Sequence, residues 1–413
     1  MRRICELSAN IGSFRLGFSQ ASSQWDFVFS QQYEYDRKKQ SSFICYQNHF
    51  DDNICINKEI NEIDIKNIPK FNILVGELKY NKHSTNDYYS FKNIFSLIYS
   101  RKPSFIFFEA PKKILTQPTQ QRGYIFGTLL NFLYNNGYIV EWRNLSPSYY
   151  GFSQRRERIY IFAVHYKTKY YQHYKFNFFN GSFEKSSFSS HLFKNQRALN
   201  YQQKTYQYYQ QLEDDFFYKN SFFTNIFPIQ DVKEVRHISL SILNHNKDMF
   251  TFSFGKTGFI DIDGNIFTTE VIPQYIYPKD IKSILLDEYP HEVIIDKNTL
   301  ETIKKNKKYK SLEDNNYKAG NVIFPDDITM PSRTISEVEA SLNKMSHVIY
   351  DSNKKIYRYL TPVECERLQE LPDNWTTMLK NRERYFCIGR ASHVGIIQKV
   401  ANSLNQIIDN ENN

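Results

Sequence analysis

At 413 residues, with 41% hydrophobic and 16% aromatic content, the chain can bury a substantial core and form two domains of ordinary size, which excludes a disordered tail. A formal charge of +9 and a pI near 9.0 favour a polyanionic partner, although abundant Lys, Asn, Ile, Tyr and Phe give the same look through compositional bias alone. The five cysteines (Cys5, Cys45, Cys55, Cys365 and Cys387) form no CxxC pair, the start MRRICELSAN turns polar too early for a signal peptide, and no apolar run reaches the roughly 18 residues of a membrane helix. The expectation is a soluble cytoplasmic protein, nucleoid-associated in a bacterium or nuclear in a eukaryote, with reduced cysteines and no metal.

In chain order, residues 1–166 alternate between short apolar runs and helical stripes. RICELSA, DFVFS, FNILVG, SFIFFEA, YIVEW and RIYIFAV are short enough for strands and too continuous for half-exposed ones. Phe91, Ile94, Phe95 and Ile98 make one helical stripe; Ile125, Leu129 and Leu133 make another, which ends at Gly137 as a C-cap. This predicts an α/β fold, a doubly wound and mostly parallel sheet.

From 167 to 345 the texture changes, with a Tyr/Gln tract at 201–211, a basic run KKNKKYK at 304–310 and many short segments without sustained periodicity. A second, smaller and irregular domain is expected here. Within it FTFSFGKTGFIDIDGNIF, 250–267, reads as strands joined by tight turns, with Asp263-Gly264 as the hairpin signal. The last stretch, 346–413, regains order, and Ile396, Val400, Leu404 and Ile408 mark one face of a terminal helix.

Three segments carry a family resemblance: QRRERIYIFAV (154–164), YRYLTPVECERLQELPDNWT (357–376) and YFCIGRASHVGIIQKVANSL (385–404). They resemble the late motifs of the DNA (cytosine-5) methyltransferases, of the kind found in bacterial type II modification methylases. The resemblance spans nearly the whole chain and implies a Rossmann-like methyltransferase domain at 1–166, a target-recognition domain at 167–345, and a return to the first domain at 346–413. In that family a Pro-Cys loop supplies a thiolate that adds to C6 of a flipped cytosine, so that C5 can accept a methyl group from S-adenosyl-L-methionine.

Carried over residue by residue, the resemblance puts Lys79 at the proline position and Tyr80 at the position of the nucleophile. A phenol with a pKa of about 10 is almost fully protonated at neutral pH and is a harder nucleophile than sulfur. Glu109 aligns with the glutamate that reads the cytosine edge, with Ala110 and Pro111 replacing its Asn-Val neighbours. Arg158 aligns with the arginine that contacts the target base, and Gln154 and Arg156 with residues that organise the loop and nearby backbone. Gln154 is also carried as a DNA contact and Arg156 as part of the catalytic constellation. For the cofactor, the resemblance implies Gly12 and Phe14 in a turn where Asn10 and Ser13 replace glycines, Glu34 toward the ribose, Glu59 toward the adenine and Gly389 near the end, with Arg390 replacing an asparagine. Arg333 is the candidate DNA contact of the second domain.

Beside these roles stand plainer readings. A lone glutamate after a strand is usually a solvated loop carboxylate, two arginines at alternate positions can form the polar face of a strand, a single glycine is an ordinary turn, and a lysine run is usually a solvated face. Three functions follow: a pseudoenzyme that binds double-stranded DNA as the non-catalytic subunit of an active methyltransferase or restriction partner; an active methyltransferase on DNA or tRNA; and a protein-interaction scaffold.

Overall fold

The computed structural model describes residues 1–35, 37–50, 53–78, 88–172, 221–240, 251–261, 264–305, 309–310, 322–343 and 345–412, the side chains of 88–90 and 309–310 aside. Lys79, Tyr80, the tract at 201–211, Asp263 and residues 306–308 of the basic run lie outside them.

The six apolar runs are strands. They are β1 (Arg3–Leu7), β2 (Asp26–Gln31), β4 (Ile73–Glu77), β5 (Phe105–Pro111), β6 (Tyr138–Leu145) and β7 (Arg158–His165), and a two-residue β3 (Cys55–Ile56) joins them. Between them run α1 (Ser13–Ala21), α2 (Ser41–His49), α3 (Tyr88–Arg101) and α4 (Tyr124–Asn135). Strands β3, β2, β1, β4 and β5 are parallel, and β7 inserts antiparallel between β5 and β6. The runs are continuous because both faces are covered. Ile106, Phe108 and Ala110 of β5 pack with α3 and α4, while the alternate residues Phe105 and Phe107 pack with α1 and the terminal helix α9 (Val394–Asn412). Gly137, predicted as the C-cap of α4, follows it with φ +87° and donates its N–H to Tyr134 O.

Beyond residue 166 the order is α5 (Phe222–Ile226), β8 (Ile229–Val232), β9 (Arg236–Ser239), β10 (Thr257–Ile260), β11 (Asn265–Thr269), β12 (Val271–Pro273), α6 (Lys297–Lys305), β13 (Tyr309–Lys310), β14 (Val322–Ile323), β15 (Val348–Asp351), β16 (Ile356–Tyr359), α7 (Pro362–Leu368) and α8 (Asn381–Arg390), then α9. Strands β10, β11 and β9 do not stand apart in a second domain. They extend the main sheet antiparallel from β6, giving ten strands among the described residues in the order β3-β2-β1-β4-β5-β7-β6-β10-β11-β9. The physical reason is the open edge of β6, whose backbone groups β10 satisfies. A smaller assembly lies further on, where Ile281, Ile284, Ile335, Ile349, Leu360, Leu368 and Ile388 share one cluster.

The chain runs outward from β1 through β2 to β3, then returns to continue on the other side of β1 with β4 and β5. The sheet therefore reverses its order between β1 and β4. In open α/β sheets the crevice beyond the carboxyl ends of such a pair is where ligands bind.

Candidate active site at the carboxyl ends of the strands

The turn after β1 holds left-handed backbone at Ser8 (φ 53°), Asn10 (φ 49°) and Gly12 (φ 84°). Asparagine tolerates this conformation better than most residues, so Asn10 keeps the turn that a glycine would make. A Cβ at Gly12 would sit 2.3 Å from the Phe50 ring, so glycine is required there on two counts. What changes is the side chain. Asn10 Nδ2 donates to Glu77 Oε2 at 2.8 Å and reaches Arg390 O at 3.4 Å, spanning the crevice from the β1 turn to the end of β4. Ser13 Oγ and Gln32 Nε2 are buried nearby with no hydrogen-bond partner among the described residues. Phe14 is buried against Phe107 at a centroid distance of 5.8 Å.

Glu34 lies three residues beyond the end of β2 and is bonded within the chain. Its carboxylate accepts from the Ser42 hydroxyl (2.9 Å) and N–H (3.4 Å), at the start of α2. Gln32, two residues earlier, instead meets the turn, its Oε1 accepting from Asn10 N at 2.8 Å. Glu59 caps a one-turn helix at Ile60–Glu62, with Glu62 reciprocating in a capping box.

Glu109 lies in register beside Glu77 at the end of β5 and is almost fully buried. Burial raises its carboxyl above the usual range against the opposing pull of Arg158 and Arg156. Arg158 Nε stands 3.3 Å from Glu109 Oε1, while Oε2 has no partner among the described residues. The structure thus brings together Glu109 and Arg158. Leu78 N, the last described amide after β4, donates to Glu109 O at 2.8 Å, beside this pair.

Gln154 and Arg156 do something else. Gln154 is 0% exposed and donates to Leu368 O at 3.1 Å, so it is no DNA contact but a staple to the end of α7. Arg156 sends both terminal nitrogens to Gly389 O, at 3.1 and 3.2 Å, and so fixes the end of α8. Burial, then Arg158, lower its pKa to about 10, within the charged range at neutral pH. Gly389 is a packing glycine, since a Cβ there would meet Ser336 O at 2.5 Å. Arg390 turns its head group toward Glu337 (3.9 Å) and the Phe386 ring (5.0 Å) and gives the crevice only its carbonyl.

Arg333 is corrected too. It grips Asp326 through two nitrogens, at 2.7 and 3.1 Å, and donates to Met345 O and Ser346 O, so it holds its own loop rather than offering a free cation. All five cysteines fall within the described residues and all are buried in apolar clusters. Burial raises the thiols of Cys5, Cys45 and Cys365 and pushes Cys387 up to about 12.

Sequence reading missed Glu77, Gln32 and Glu6. Glu77 was legible only as the last residue of a strand, and its importance comes from that strand being β4 at the reversal point. Glu6 on β1 is fully buried, accepts from Ser30 Oγ (3.0 Å) and Tyr46 Oη (3.1 Å), and is raised to about 7 by burial. The crevice is mixed in its fit to S-adenosyl-L-methionine. The turn backbone suits a close approach and the unpartnered Ser13 and Gln32 atoms suit a polar ligand, but the Asn10–Glu77 bridge fills the side toward β4. The Asn10 amide is thus spent on Glu77 and is not disposed to receive the amino-acid end of the cofactor.

Among the described residues, no three His, Cys, Asp or Glu side chains are grouped to hold a metal ion, and no helix is long and apolar enough to cross a membrane. Comparison with known proteins agrees with the sheet. The Dnmt2 methyltransferase of S. pombe aligns with a TM-score of 0.57 at 13% identity over 100% of both chains, and a mutant Dnmt2 of Spodoptera frugiperda with 0.57 at 12%, over 99% of this chain and 100% of that one; at such identities the likeness is one of fold. The type II methyltransferase M.Sau3AI of Staphylococcus aureus is 27% identical over 431 aligned residues, 98% of this chain and 96% of that protein. M.SsoII of Shigella sonnei is 31% identical over 186 residues, 43% of this chain and 46% of that protein. The model of the C-5 cytosine-specific DNA methylases matches residues 2–406, nearly the whole length over which the ordered sheet and its carboxyl-end site are built, and the chain belongs to that family.

Proposed function

We propose that this chain binds duplex DNA on a cytosine-C5 methyltransferase scaffold without methylating it, as a non-catalytic subunit beside an active methyltransferase or restriction partner. The observation that carries the reading is the fate of sulfur. Tyr80 stands at the nucleophile position, no cysteine occurs between Cys55 and Cys365, and all five thiols are buried in apolar clusters. The covalent step of the family needs a thiolate at C6 of the pyrimidine. A phenol of pKa about 10, protonated at neutral pH, does not replace it.

Base recognition is better supported than base chemistry. Glu109, buried, raised and paired with Arg158, stands at the strand end with Ser392 and Tyr160 beside its carboxyl group. A carboxyl of this kind can hydrogen-bond the edge of an extruded base. The net charge of +9 serves the phosphate backbone.

The test is incubation of the purified chain with methyl-labelled cofactor and duplexes of varied sequence, with binding followed in parallel. We expect duplex binding that weakens steeply with salt and no label in the DNA. Label recovered on cytosine would overturn the reading, and absence of duplex binding at low salt would favour a protein scaffold instead.

A further inference from the structure

We infer that Asn10 and Glu77 form a latch that keeps the amino-acid end of S-adenosyl-L-methionine out of the crevice while its nucleoside side stays open to adenosine. The inference rests on family membership and on geometry, and not on whether methyl transfer occurs.

The latch joins three elements that meet at the reversal of the sheet. Asn10 Nδ2 donates to Glu77 Oε2 at 2.8 Å and approaches Arg390 O at 3.4 Å, tying the β1 turn to the ends of β4 and α8. Its own backbone is held by Gln32 Oε1 at 2.8 Å, so the side chain is aimed by a fixed turn. Glu77 neighbours Glu109 across the strand pair, and a ligand carboxylate entering between β1 and β4 would meet like charge as well as a filled space. At the start of α1 and just past β2 the arrangement is the reverse. Ser13 Oγ and Gln32 Nε2 are buried and unpartnered among the described residues, the state of polar atoms that await a ligand or water. An acceptor or donor at the end of β2 is where α/β folds hold ribose hydroxyls.

Two variants open the latch from opposite sides, Asn10→Gly, which suits the left-handed backbone, and Glu77→Ala. Calorimetric titration compares adenosine, S-adenosyl-L-methionine and S-adenosylhomocysteine on the unaltered chain and on each variant, with a thermal melt to confirm folding. The unaltered chain is expected to bind adenosine at least as tightly as the full cofactor. Each variant should then tighten the two amino-acid-bearing ligands about tenfold, equivalent to about 1.4 kcal/mol, and leave adenosine within about twofold. The double variant should gain little over either single one, because one bond is broken only once. Equal gains for adenosine, or no gain in a folded Asn10→Gly chain, would overturn the latch; so would a failure of the unaltered chain to bind adenosine. Should Glu77→Ala not fold, Asn10→Gly decides alone. A methylating wild-type chain would end the preceding proposal and leave this one standing, whereas cofactor binding tighter than adenosine in the wild type would do the reverse.

Discussion

The carboxyl-end crevice and the seam that ties the last 60 residues to the sheet carry motifs of the same family, yet they differ in what their side chains touch. At the seam four motif residues bond the protein to itself: Gln154 to Leu368 O, Arg156 to Gly389 O, Gln369 to Ile388 O, and Glu366 to Thr376, Asn374 N and Arg384. At the ligand-facing motifs the resemblance expects a thiol and glycines, where this sequence has Tyr80, Asn10 and Ser13. The motifs by which the family is identified in this sequence are thus largely motifs of assembly. They persist where the fold needs them and say little about chemistry.

The strongest way to break this comparison is to attack the seam. Arg358 and Glu364 are both buried and joined by two hydrogen bonds of 2.7 and 2.8 Å, and Glu364 also accepts from Thr361 N and Leu286 N. Thr361 returns the favour as N-cap of α7, its hydroxyl accepting from Glu364 N at 3.1 Å. Removing one member of a buried pair strands the other charge, at about 3–5 kcal/mol. Arg358→Met should therefore shift the urea midpoint by the equivalent of that loss. A loss below about 1 kcal/mol, the value of an exposed pair, would mean the motif is not structural.

A second prediction separates the two regions by pH. Glu6 lies under the β1 turn, and its folded pKa of about 7 exceeds the ordinary value of 4.5. The folded state holds this proton more tightly than the unfolded state, so the stability is fully present below pH 4.5 and is lost as pH rises toward and through 7. The shift corresponds to roughly 3 kcal/mol over that window at about 1.4 kcal/mol per pH unit. Glu6→Gln, which keeps the size without the charge, should flatten that part of the stability profile measured by denaturation at successive pH values. An unchanged slope would show that Glu6 is not the group responsible.

The fold was more legible than the site, for reasons tied to range. Runs such as SFIFFEA declare a strand covered on both faces, and Gly137 declares the end of α4, because each signal lies within a few residues. That β10 would pair with β6 across more than a hundred residues is not written in either segment, and texture alone assigned 236–269 to another domain. At the site the resemblance pointed to Glu109 and Arg158, which do meet, and to Glu34, whose carboxylate is engaged by Ser42 while Gln32 meets the β1 turn. The resemblance carried Gln154 as a DNA contact and the place of Arg333 in the second domain suggested the same, whereas burial and internal partners give them to the scaffold. Polarity is visible in a sequence; what satisfies it is not.

The smallest expected effect sharpens the line between assembly and recognition at one residue. Gln154 is fully buried, makes one hydrogen bond to Leu368 O and leaves its Oε1 unpartnered. Gln154→Ala removes that bond and should cost about 1 kcal/mol, since a neutral hydrogen bond contributes on that order net of solvent exchange. Because the side chain cannot reach a nucleic acid, the dependence of duplex affinity on salt should keep its slope, which counts the phosphates neutralised. Measured on the same preparation, a stability loss with an unchanged slope gives Gln154 to the seam; a changed slope with intact stability would return it to the DNA-facing side.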